Sequence, residues 1–254
     1  MDEGAYELAG GNVSTSVVRV GETVRRPAGP WTPSVHALLC HLNAVGFPGS
    51  PRSFGIDTQG RHVVEWIDGE VTHPYLRRHR SDVSLPDVGH MIRDFHEAVS
   101  GFSPAADAQW NVVIEPDAHD MIIHHDLASW NFVHGADRPV FIDWDNAGPG
   151  SALWDLALAA HGFADLAPGV PVRVAGRRLR SLVDGYGLDD AERLRLAALL
   201  PVRYRAMFDL LERGGRTGAQ PWRRLWEQGH GKSWRLITQY AADHQAELIA
   251  ALRA

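Results

Sequence analysis

The chain has 254 residues, 44% of them hydrophobic, with 25 basic and 31 acidic side chains giving a formal net charge of −6; it is long enough to bury a large core as one extended domain or two lobes. No Lys/Arg-rich patch is interleaved with aromatics, which argues against a nucleic-acid partner, while the mild acidic excess suits a cationic substrate as well as plain solubility. No apolar stretch reaches about 18 residues and the start, Met1-Asp2-Glu3-Gly4, lacks a basic region followed by an apolar one, so neither membrane insertion nor secretion is expected. A single cysteine, Cys40, lies in an apolar helical run and reads as a buried inert thiol in a reducing cytoplasm.

In chain order, residues 7–26 read as short strands separated by turns. The first turn, Gly10-Gly11-Asn12-Val13-Ser14-Thr15, would let the backbone approach a phosphate, with Ser14 and Thr15 adding donors; Gly-Gly-Asn serves equally well as a plain hairpin turn. A helix follows Thr32-Pro33, through Ser34-Val35-His36-Ala37-Leu38-Leu39-Cys40-His41-Leu42. Residues 51–56 and 62–67 read as strands about the turn Asp57-Thr58-Gln59-Gly60-Arg61. From Leu85, apolar residues Val88, Met91, Ile92, Phe95, Val99 and Phe102 recur at helical steps. Met121-Ile122-Ile123 is a short buried strand, and Phe132-Val133-His134 and Val140-Phe141-Ile142 form a hairpin about Gly135-Ala136-Asp137-Arg138-Pro139. Beyond it, residues 153–163, 177–186, 190–212 and 234–252 suit amphipathic helices, with Gly214-Gly215-Arg216-Thr217-Gly218 as a loop.

The most informative stretch is His124-His125-Asp126-Leu127-Ala128-Ser129-Trp130-Asn131, followed twelve residues later by Asp143 in Ile142-Asp143-Trp144-Asp145. The intervals are those of the H-R-D-x-x-x-x-N pattern of protein kinases, with His125 at the Arg position. Phosphoryl transfer needs a hydroxyl aligned with the γ-phosphate and charge neutralised by Mg²⁺, so Asp126 is the expected catalytic base and Asn131 and Asp143 the expected metal ligands. A hairpin brings its ends together: Asn131 enters one strand and Asp143 leaves the other, so both oxygens can meet one hard cation. His124 is expected to brace the loop, and Asp145 is a supporting acid near the metal or a solvated side chain.

With these residues quoted, the chain resembles the aminoglycoside phosphotransferases, whose pattern is H-G-D-x-x-x-x-N followed by I-D-W-[DE] and then G-P-x-x-x-D-L-A; here the last runs Gly148-Pro149-Gly150-Ser151-Ala152-Leu153-Trp154-Asp155-Leu156-Ala157. The resemblance implies an α+β, protein-kinase-like bilobal fold. A small antiparallel N-terminal lobe with one helix would span residues 1–70, with an interlobe linker at 65–70. A larger, mostly helical lobe at 71–254 would carry the catalytic loop, metal hairpin and substrate site. It further implies that Arg25, rather than Arg26, contacts the nucleotide phosphates from the third strand, and that Trp66 and Ile67 wall the nucleotide. The Glu that the family usually places on the next helix to hold this cation is missing. Asp155, opening a helix, reads as a cap or loop tether more than as a catalyst.

The resemblance implies ATP or GTP as donor with Mg²⁺, and a small hydroxylated acceptor, with an aminoglycoside as first guess. A kinase-like binding or immunity protein without turnover is the main alternative, motivated by the missing Glu and by Ala128 standing where protein kinases carry a Lys. A metabolite or peptide kinase of the same fold is a lesser one. A metal-dependent phosphohydrolase built on the His125-Asp126 doublet is disfavoured, because such enzymes carry the doublet on a helix whereas here it follows a strand and precedes a hairpin.

Overall fold

The computed structural model describes residues 5–7, 17–71 and 84–254. Ser14 and Thr15, and with them the candidate phosphate turn, lie outside the described residues. The N-terminal part builds a five-stranded antiparallel sheet from β1 (Ala5–Glu7), β2 (Val18–Val20), β3 (Thr23–Pro27), β4 (Ser53–Ile56) and β5 (Arg61–Glu65), in the order β1-β2-β3-β5-β4. Its register sets Arg26 opposite His62 and Arg25 opposite Val63. Helix α1 (Thr32–Ala44) starts with Pro33 in its first turn and turns Val35, Leu38, Leu39 and Leu42 to the core. Cys40 is exposed, contrary to the expected buried thiol: it sits about 100° round the helix from Leu39 and falls off the apolar stripe.

The chain leaves this sheet at Glu65 and rejoins ordered structure as β6 (Gly69–Val71), which pairs with β8 (Phe132–Gly135); β8 pairs in turn with β9 (Pro139–Phe141). A separate two-stranded ladder joins β7 (Met121–Ile123) to β10 (Gly148–Gly150). Around these ladders packs a helical body: α2 (Leu85–Val99), α3 (Ala152–Ala164), α4 (Val172–Tyr186), α5 (Asp190–Thr217), α6 (Trp222–Glu227), α7 (His230–Asp243) and α8 (Gln245–Arg253). Capping boxes start two of them, Ser84 with Asp87 on α2 and Asp189 with Glu192 on α5. Of the predicted stripe on α2, Val88, Ile92, Phe95 and Val99 are buried, while Met91 is half-buried and Phe102 lies past the helix end, also half-buried.

Helices α4 and α7 begin earlier than expected, at Val172 and His230, and two further differences have a visible cause. Helix α5 continues through Gly214 and Gly215 to Thr217, because those glycines are contact points and not breakers. A Cβ on Gly214 would lie 2.2 Å from the Cβ of Trp222, and one on Gly215 would lie 2.5 Å from Cδ1 of Trp226. The region 234–252 divides at His244, whose amide bonds back to the Tyr240 carbonyl; the division lets α7 pack on α5 while Leu248 and Leu252 of α8 turn to α4 and α5. Among the described residues no helix is long and apolar enough to cross a membrane.

Candidate active site

Strand β7 ends at Ile123, and the next three residues turn out of the strand under the control of one buried carboxylate. Asp155, in the first turn of α3, accepts the backbone N–H of His124 and of His125, each at 2.8 Å, and His96 Nε2–H at 3.4 Å. Its carboxyl lies below the usual carboxylate range: burial pushes it up, but the hydrogen bond and charge of His96 outweigh that. The cap of α3 is Ser151, which accepts the Trp154 amide, so Asp155 is free to act as a tether between α3, α2 and the loop.

His124 and His125 are both held neutral, chiefly by burial. His124 Nε2 donates to the Ile142 carbonyl at 3.1 Å, which leaves Nδ1 to accept the Asp126 amide at 3.3 Å; this tautomer is assigned from the bonding pattern. The imidazole thus joins the loop to the end of the hairpin. His125 adopts φ 66°, a left-handed conformation that costs a non-glycine residue roughly 1–2 kcal/mol, and its Nε2 donates to the Pro149 carbonyl at 2.9 Å.

Beyond the turn, Asn131 closes the loop onto Asp126 by donating Nδ2 to the Asp126 carboxylate at 2.8 Å and to its backbone carbonyl at 3.0 Å. The Asp126 carboxyl is pushed up to about 7, first by burial and then by the charge of Asp143, against the opposing hydrogen bond from Asn131. Asn131 sits just before β8, and its carbonyl accepts the Ile142 amide at 2.8 Å, so the open end of the hairpin sets Asp143 beside Asn131. Asp143 is itself left-handed, at φ 64°.

The sheet contributes a cation to this cluster. Arg26, 8% exposed, donates Nη1 to Asp143 at 2.7 Å and reaches Asp145 with Nη2 at 3.2 Å. Arg25 points the other way and pairs with Asp57 at 3.8 Å. Arg26, and not the favoured Arg25, is therefore the one turned to the hairpin end: side chains alternate along β3, and the register opposite His62 gives Arg26 the face toward the hairpin. It also shows how the cation is held without a helix Glu, since two carboxylates of the hairpin end share the guanidinium. Asp145 is half-buried beside it, and desolvation pushes its carboxyl up against the pull of Arg26.

Trp66 and Ile67 engage partners outside this acid cluster. The Trp66 ring lies under the Arg19 guanidinium, 4.3 Å from carbon to centroid, and Ile67 lies against the hairpin turn, where a Cβ on Gly135 would stand 3.1 Å from Ile67 Cγ2. One further group escaped the sequence reading: Arg203 of α5, 3% exposed, donates Nη2 to the His125 carbonyl at 3.0 Å. Its only sequence signal is its place beside Leu200 and Tyr204 on the buried side of the helix.

The donor set suits a hard cation. Asn131 spends its amide hydrogens on Asp126 and keeps its carbonyl oxygen, and Asp143 keeps one oxygen beyond its bond to Arg26. Among the described residues there is no cluster of three or more His, Cys, Asp or Glu that could hold a metal alone.

A small antiparallel sheet lending a cation to a strand-loop-hairpin unit set in a helical body is the arrangement of the protein-kinase-like class. Solved structures share the fold: an amicoumacin kinase in complex with AMP-PNP, Ca²⁺ and Ami superimposes with TM-score 0.65 at 11% identity, covering 97% of this chain and 89% of that one. The GDP complex of aminoglycoside 2'-phosphotransferase-IIIa does so with TM-score 0.62 at 14% identity, covering 94% and 93%. Residues 104–199 match the model of the phosphotransferase enzyme family (APH). The trifolitoxin immunity protein of Rhizobium leguminosarum bv. trifolii is 36% identical over 200 residues, 73% of this chain and 75% of that protein. The chain belongs to this phosphotransferase family.

Proposed function

We propose that the chain transfers the γ-phosphoryl group of ATP or GTP directly to a hydroxyl of a small antibacterial compound, an aminoglycoside-type molecule being the first candidate. The observation that carries this reading is the closed unit of Asp126, Asn131 and Asp143, in which an amide fixes a carboxyl of raised proton affinity next to a second, metal-ready carboxylate. Asp126 orients the acceptor hydroxyl and takes its proton as the oxygen bonds to the γ-phosphorus; the bond to the β-phosphate oxygen breaks and the nucleoside diphosphate leaves, with no phosphoenzyme. Asn131 and Asp143 would hold Mg²⁺, which neutralises phosphate charge when bound. Arg26 moves from the two carboxylates to the phosphates, while Trp66 and Ile67 flank the nucleotide base. His124 and Asp155 keep the loop in register. In this reading residues 1–70 form the nucleotide lobe and 71–254 the acceptor lobe.

The assignment of Arg26 has its own check. Arg26→Met should weaken Mg-nucleotide binding about tenfold or more, the loss expected for a charge-assisted contact, whereas Arg25→Met should change it less than about twofold. Titration calorimetry on both variants decides it, and a larger loss in Arg25→Met would return the role to Arg25.

A second reading, protection by binding without transfer, is favoured by one feature: Arg26 already engages Asp143, the carboxylate that a metal would need. The relative named for immunity to trifolitoxin is compatible with either reading. The test is incubation of the protein with γ-labelled ATP and GTP and panels of aminoglycosides and peptide antibiotics. Label transferred to an acceptor by the wild type and not by Asp126→Asn supports the first reading. Tight acceptor binding without any labelled product supports the second.

A further inference from the structure

We infer that Arg203, midway along α5, is a positioning residue that locks the catalytic loop by holding the His125 carbonyl, so that a residue which resists a left-handed turn stays in one and Asp126 stays aimed. The consequence for Asp126 rests on the phosphotransfer reading above, but the lock itself does not. Arg203 is a costly residue to bury: its Nε and Nη1 have no hydrogen-bond partner, and among the described residues it has no ion-pair partner. The Trp154 ring, 5.1 Å from the guanidinium carbon, and the His125 carbonyl are the groups that engage it. Asp126 and Asp155 are the negative charges that act on it most. Asp155 is already committed to two amides and to His96, so it does not hold Arg203 in place.

His125 is clamped on three sides. Asp155 takes its amide, the Pro149 carbonyl takes its ring, and Arg203 takes its carbonyl. The ring also has a fixed seat, since a Cβ on Gly150 would stand 3.3 Å from His125 Nε2. Three residues on, Ala128 rests against α3, where a Cβ on Gly162 would come within 2.6 Å of its own Cβ. With the ring and Ala128 seated, the peptide joining His125 to Asp126 is the segment whose orientation Arg203 sets. Releasing its carbonyl lets φ of His125 leave the left-handed region and swings the next residue, Asp126.

This predicts a suppressor. Glycine adopts the left-handed region without strain, so His125→Gly should compensate for loss of Arg203. Wild type, Arg203→Lys, Arg203→Met and Arg203→Met combined with His125→Gly are compared by amide hydrogen exchange at His124 and His125 and by Mg-dependent hydrolysis of ATP and GTP. Arg203→Met should lose about tenfold in exchange protection at these amides and in kcat, with KM for nucleotide within about twofold, and the double variant should recover part of both, since it also gives up the ring's bond to the Pro149 carbonyl. Arg203→Lys, which keeps a donor, should fall between. Wild-type protection in Arg203→Met, or no recovery on adding His125→Gly, overturns the inference. If Arg203→Met does not fold, the double variant must fold and Arg203→Lys must show the partial loss; failure of either also overturns it. Absence of hydrolysis in the wild type would count against the phosphotransfer reading, while the exchange measurement would still decide the role of Arg203.

Discussion

Asp126→Asn is expected to abolish turnover and at the same time stabilise the protein. Removing a general base typically costs about a hundred- to ten-thousand-fold in rate, and the isosteric amide leaves the bond from Asn131 an oxygen to land on. The stability gain follows from linkage. The Asp126 carboxyl is raised from 3.8 to about 7 in the folded protein, so the folded state holds its proton through a range where the unfolded chain has lost it. Stability from this group is full below about pH 4 and is lost as pH rises towards 7; above that, the ionised carboxylate is a burden that the amide lacks. The whole displacement, from 3.8 to about 7, bounds the gain at roughly 4 kcal/mol. Thermal melts of both proteins from pH 4 to 8 should converge at the acid end and separate with the variant on top. A variant that melts below wild type at pH 8 would refute the raised proton affinity of this group.

Asp155→Ala should have the largest effect on folding. Three buried donors, the amides of His124 and His125 and the His96 ring, lose their common acceptor. Such losses cost about 3–5 kcal/mol, which in a chain of this size lowers Tm by about 6–20 °C. The sign with pH is opposite to that of Asp126. The folded carboxyl lies below its ordinary value, so its contribution is present at all pH above about 4 and disappears only as pH falls through the folded value. The gap between variant and wild type should therefore be constant from neutral pH to about pH 4 and narrow below it. A Tm loss equivalent to under about 1 kcal/mol at pH 7 would show that the tether is dispensable.

What the sequence shows and what it hides divide along the range of the interactions. Asp126, Asn131 and Asp143 were legible because a loop and a hairpin fix their spacing within twenty residues. Arg26 against Arg25 was not, because alternation says only that one of them faces inward; the register with β5, through the pairing of Arg26 with His62, decides which. Asp155 was read as a cap or loop tether from its place at the start of a helix, and the structure makes it the tether, thirty residues on from the loop; Arg203 reaches across seventy-eight residues with no local pattern to announce it. The end of α5 was misread for a related reason. Gly214 and Gly215 look like breakers until Trp222 and Trp226 of the following helix are seen to need the room. Cys40 was placed by the apolar character of its neighbours, whereas its angle on the helix leaves it outside.

The most direct test of the phosphotransferase site is the thermal stabilisation of wild type and Asp143→Asn by ATP and by GTP, each with Mg²⁺ or with EDTA, because a ligand that binds only the folded state raises Tm by an amount set by its concentration over Kd. A site built from Asn131, Asp143 and Arg26 predicts stabilisation of wild type by at least one nucleotide, dependent on Mg²⁺ and lost in Asp143→Asn. Stabilisation by neither nucleotide, or stabilisation indifferent to both EDTA and the substitution, would contradict it.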